Sequence, residues 1–139
     1  MDIAIVASGI TIFVTLCVLG YNLFQVTSAY GSMVTQIGQF KAYVQEEQLT
    51  PALMRRFNLI LMSSLLGLYL LLLFFSGFAW WFLGLVLSKY LLTVWLSDTI
   101  HKYILHDKPF DSGHHRLIRF DAVGNVLVLS FVLVACIWA

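Results

Sequence analysis

FNLILMSSLLGLYLLLLFFSGFAWWFLGLVLSKYLLTVWLS, residues 57–97, holds a single charged side chain, Lys89, and its apolar run is broken most clearly at Ser76-Gly77. A helix of about 20 apolar residues spans the roughly 30 Å hydrocarbon core of a bilayer. The stretch is therefore long enough for two crossings, over about 57–75 and 78–97. The serine-glycine pair marks a tight antiparallel hairpin between them.

The same reading extends to both flanks. No charged residue occurs from Ile3 to Phe40, and none from Ala122 to Ala139. These runs supply a first span at about 3–23 and a fourth at about 122–138, the latter with Asp121 as its expected N-cap. The fold class is an all-α integral membrane protein, one domain of four transmembrane helices covering the 139 residues. Composition agrees: with 60% hydrophobic and 11% charged residues, a chain of this length has no soluble core large enough to hide its apolar surface. The first run reads as a retained span rather than a signal peptide, because no Lys or Arg precedes Lys41.

The polar stretches 24–56 and 98–121 are the loops. In the first, Val34, Ile37, Phe40 and Val44 recur at helical spacing with Gln36, Gln39, Lys41 and Gln45 between them. That pattern predicts an amphipathic helix over 32–45, bent away from the first span near Gly31 and lying in the membrane interface, or else packed on the other cytoplasmic loop. Thr50-Pro51 then reads as the N-cap and first-turn proline of the next helix. In the second loop, Asp98 and Lys102 at acid-first i,i+4 spacing favour a helical extension beyond the third span.

Lys41, Arg55 and Arg56 lie in the first loop, and Lys102, Lys108, Arg116 and Arg119 in the second. The positive-inside rule puts both loops in the cytoplasm and both termini outside, in a bacterial inner membrane or another plasma membrane. Trp80, Trp81 and Trp138 are expected at the outer interface and Trp95 at the inner one. Arg55, Arg56, Lys102, Arg116 and Arg119 are candidate contacts for lipid headgroups or a partner. The net charge of +1 argues against nucleic acid, which needs clustered, uncompensated cations.

Lys89 is the sharpest single signal, since a charge near mid-bilayer costs about 2.5 to 3.5 kcal/mol on insertion scales. No Asp or Glu falls in the core of a predicted span. Its charge is therefore expected to meet a partner subunit's carboxylate, an anionic ligand or lipid headgroup, or to snorkel toward Trp95. Ser63 with Gly67, and Gly84 with Ser88, form small-residue faces suited to close packing within the hairpin or against another chain. Cys17 and Cys136 fall inside spans, as small buried hydrophobes.

All four histidines lie in the second loop by this reading, and His101, His106, Asp107, Asp111, His114 and His115 are the candidate metal or proton site. The spacing contains no H-E-x-x-H or C-x-x-C, and haem between spans would need histidines buried in two helices. No cofactor is expected from these residues, with a metal or haem as the alternative. No catalytic set stands out.

Three functions follow in order. The first is a structural or accessory subunit of a larger membrane complex, acting through helix packing and loop docking with other subunits or with copies of itself. The second is a homo-oligomeric transporter or channel. The third is a membrane metalloenzyme or haem protein using the 98–121 loop.

Overall fold

A computed structural model of the chain describes residues 2–48, 50–105 and 111–138. Five helices make up the described fold: α1 (Ile3–Thr27), α2 (Tyr30–Glu46), α3 (Pro51–Phe75), α4 (Trp80–Leu105) and α5 (Ser112–Trp138). Four of them, α1, α3, α4 and α5, are long and apolar enough to cross a membrane. The chain is thus a multi-pass helical membrane bundle, with the shorter α2 inserted between the first and second long helices.

The bundle is apolar on the outside. Ile5, Phe13, Phe24, Leu68, Trp81 and Leu127 are all well exposed, while Thr11, Thr15, Asn22, Asp121 and Asn125 are buried. Lipid solvates the first set, so helix association rests on close packing and polar contacts across the interior. α1 packs most extensively against α5, and α3 against α4.

The hairpin turn shows how local chemistry sets the register. The Gly77 N–H donates to Phe74 at 3.0 Å and the Phe78 N–H to Leu73 at 3.1 Å, closing α3 with a Schellman motif. Gly77 has φ +90°, a conformation that side chains disfavour. Phe78 then packs on the cluster formed by Leu73, Phe82, Val86, Leu129 and Val132. The Thr11 and Ser76 hydroxyls lie 3.1 Å apart and tie α1 to this end.

Two boundaries differ from the sequence expectation, and a third helix extends as expected. The break after α1 falls at Ser28-Ala29, not near Gly31. Thr27 and Ser28 donate their hydroxyls to Leu23 and Phe24 carbonyls, satisfying part of the open last turn without a glycine. α4 continues past Ser97 to Leu105, and its Asp98 and Lys102 pair at 3.7 Å as the spacing indicated. α5 begins at Ser112, so Asp121 is not its N-cap but lies in its third turn. The capping residue is Asp111, which accepts from the Gly113 N–H at 3.2 Å.

α2 crosses the end of the bundle opposite the hairpin. Its Met33 packs on Ile118 of α5, with Ile37 and Ile100 alongside. Tyr30 meets His115 edge-on at 5.6 Å and Phe40 meets His101 at 5.8 Å. Of the apolar face predicted for this segment, Ile37, Phe40 and Val44 are at least partly buried, while Val34 stays exposed.

Candidate functional site

Lys89 projects from α4 toward α5, and Gly124 is what lets it through. A Cβ on Gly124 would stand 2.6 Å from the Lys89 Cε, closer than real contacts allow. With that space open, the ammonium donates to the Asp121 carboxylate, to the Asn125 side-chain carbonyl at 2.8 Å and to the Asp121 main-chain carbonyl at 3.1 Å. An ammonium has three donors, and all three find acceptors.

The acceptors are themselves held. Thr93, one turn after Lys89 on α4, donates to the second Asp121 oxygen at 2.8 Å. Asn125, one turn after Asp121 on α5, donates to Asn22 of α1 at 3.0 Å and to the Thr93 hydroxyl at 3.1 Å. Asn22 donates in turn to the Val18 carbonyl at 2.8 Å. Three helices thus share one closed network in which Asn22 and Asn125 are 3% and 1% exposed.

This corrects the expectation for Lys89. The chain supplies its own carboxylate, because α5 starts early enough to bring Asp121 inside the bundle. An uncompensated ammonium among apolar helices is strongly unfavourable, whereas a paired and fully hydrogen-bonded one is tolerated.

Beside the network lies a cavity of about 580 Å³ between α1, α3, α4 and α5. Its walls are mainly apolar, with Val14, Val18, Met62, Leu65 and Leu66 among them. Asn22, Thr93 and Asp121 present the polar network on one side. Tyr69 and Tyr90, in edge contact at 6.1 Å, line it toward the hairpin end. The Tyr69 hydroxyl is 2.8 Å from that of Thr15. The Tyr90 hydroxyl is buried and has no hydrogen-bond partner among the described residues. At the other end Gln25, Asn58, Ser97, Ile100, His101 and Ile118 line it, and α2 packs on Ile100, His101 and Ile118 there.

The remaining sequence candidates are dispersed. Arg55 leaves its expected lipid or partner role for a two-pronged contact with Asp98, at 2.6 and 2.9 Å, joining α3 to α4. Arg119 donates to the Val26 carbonyl at 3.0 Å, and Arg56, Lys102 and Arg116 are exposed. His101 lies within α4, where its ring donates to the Ser97 carbonyl at 2.9 Å, and His114 and His115 lie within α5. None of these three is in a loop, since both helices extend into the stretch read as polar linker. His106 and Asp107 fall outside the described residues. Among the described residues no three His, Cys, Asp or Glu side chains stand together as a metal site.

The small-residue pairs do not pack inside the chain. Ser63, Gly67, Gly84 and Ser88 are exposed, and a Cβ on either glycine would meet nothing within 4 Å. The hairpin is closed by larger side chains instead.

Comparison with known proteins returns no match. No family model, curated protein or solved structure aligns significantly with the chain. The site therefore stands on its own geometry.

What sequence reading missed was a set of polar stripes. Lys89, Thr93 and Ser97 recur every four residues, Asp121 and Asn125 do the same, and Thr11, Thr15 and Asn22 share one helical face. In a membrane helix such a stripe faces protein rather than lipid, and it locates the interior.

Proposed function

We propose that this chain is a membrane-embedded binding protein that carries a small molecule inside its own helical bundle. The observation that carries this reading is the cavity of about 580 Å³ set directly against a buried, fully satisfied polar network. That volume is in the range of small-molecule sites, which are typically concave, mostly apolar and supplied with a few fixed polar groups. Intramembrane ionisable residues are functional candidates by default, and here Asp121 of the pair forms part of the cavity wall.

The reading moves weight from the accessory-subunit expectation to the transport one. Lys89 no longer calls for a partner's carboxylate. The ligand enters at the polar-loop end, which the basic residues assign to the cytoplasm with both termini outside. α2 packs over that end of the cavity, on Ile100, His101 and Ile118.

The test is saturable binding of an uncharged, environment-sensitive fluorophore to the full chain in lipid nanodiscs. One site per chain is expected, lost in Leu66→Trp, which fills the cavity. Absence of saturable binding, or equal binding in the filled variant, would sink the reading.

A second reading is supported by a separate observation. The outward small-residue faces at Ser63, Gly67, Gly84 and Ser88 leave room for another helix, either a copy of this chain or a different membrane subunit. The mass of the intact particle and its composition in nanodiscs test it: a monomer without companions removes it.

A further inference from the structure

We infer that the occupant of the cavity is a neutral amphiphile carrying a hydroxyl or phenol group, held by Tyr90 and the Asp121 side of the network. The inference rests on the binding-protein reading and adds the ligand's class. Four features of the cavity support it.

The first is charge. Among the described residues Asp121 is the only Asp, Glu, Lys or Arg side chain lining the cavity, and Lys89 compensates it from outside the lining. A cationic ligand would have to compete with an ammonium already held by three acceptors. An anionic ligand would face a carboxylate at close range in a low-dielectric wall, where like charges repel strongly. Only a neutral molecule enters without disturbing the pair.

The second is the Tyr90 hydroxyl. It is buried, belongs to a residue that lines the same cavity, and makes no hydrogen bond to any described residue. A phenolic hydroxyl both donates and accepts, and leaving it unsatisfied in an apolar setting is unfavourable. A ligand hydroxyl answers both of its capacities. It also suits the acceptors nearby, since the Asp121 oxygens retain lone pairs beyond those used by Lys89, Thr93 and Asn125.

The third is the wall. Val14, Val18, Met62, Leu65 and Leu66 give the ligand's body an apolar bed that hydrogen-bonding groups along its length would spoil. The fourth is the end toward the polar loops, where Gln25, Asn58 and Ser97 line the cavity and offer further partners to a polar head. A molecule with one polar end and an apolar body fits this sequence of surfaces.

The experiment compares four molecules of matched shape on the full chain in nanodiscs near neutral pH: hexylbenzene, para-hexylphenol, para-hexylbenzoate and para-hexylbenzylammonium. Each competes against the bound fluorophore, with Leu66→Trp as the baseline for partition into lipid. The phenol is expected to bind at least tenfold more tightly than either ion, and about five- to tenfold more tightly than hexylbenzene. Tyr90→Phe is expected to bring the phenol down to the affinity of hexylbenzene in the same variant. Equal affinity for the phenol and an ion, or a phenol affinity unmoved by Tyr90→Phe, overturns the ligand class while the cavity still binds. Failure of all four molecules to displace a saturably bound fluorophore also overturns the ligand class, whereas failure of the fluorophore to bind overturns the binding-protein reading itself. The four-molecule series on the unmodified chain remains decisive should Tyr90→Phe not fold.

Discussion

At the hairpin end of the bundle Leu73, Val86, Leu129 and Val132 are completely buried in one apolar cluster, whereas toward the polar loops the same four helices enclose a hollow walled partly by a hydrogen-bonded network. The same helices therefore pack densely at one level and stand apart at another. The side chains explain the change. Interdigitating Leu, Val and Phe fill space to the density of a protein interior, while Lys89, Asp121, Asn125, Thr93 and Asn22 are held by directional bonds that fix their positions without filling the volume beside them. A bundle built this way has a densely packed end and a hollow end.

Substitutions at the two ends are expected to behave differently, and the largest effect belongs to the network. Asp121→Ala strands the Lys89 ammonium among apolar helices and is expected to destabilise the protein by about 3–5 kcal/mol, read from unfolding in mixed detergent and SDS micelles. A loss smaller than about 1 kcal/mol would mean that Lys89 reaches water or headgroups unaided.

Next comes the contrast in packing. Leu129→Ala, in the dense cluster, is expected to lose about 2–5 kcal/mol. Leu66→Ala, on the cavity wall, is expected to lose about 1 kcal/mol or less, because one side of that residue has few neighbouring atoms to forfeit. Equal losses would erase the distinction between the ends.

A smaller effect sharpens the account of how the network is reached. Gly124→Ala places a methyl where the Lys89 Cε passes, and overpacking of this kind costs about 1–3 kcal/mol. The flexible lysine end moves more readily than backbone would, so the lower part of that range is expected. An unchanged stability, with ligand binding intact, would show that Lys89 has another route to Asp121.

Much of the closed end was legible from sequence. The uncharged runs gave the four long helices, and Ser76-Gly77 gave the turn, because its glycine supplies the left-handed residue that the Schellman geometry requires. The amphipathic pattern from Val34 to Val44 gave α2 to within two residues at either end. The open end was less legible for two reasons. Arg116, Arg119 and Asp121 suggested a loop, although charged residues sit readily in the first turns of a helix that projects beyond the lipid; moving that boundary hid Asp121 from Lys89. The cavity itself leaves no trace in the order of residues, since it depends on how far the helices diverge. The i,i+4 repeats of Lys89 with Thr93 and Asp121 with Asn125 were readable, and they mark the faces that meet.

The most direct measurement is a double-mutant cycle on Lys89→Met and Asp121→Leu, with unfolding free energies for the parent, both single variants and the pair. A coupling of about 1.5 kcal/mol or more is expected, with the double variant more stable than Asp121→Leu alone. Additivity within about 0.5 kcal/mol would contradict an intramolecular pair at the heart of the bundle.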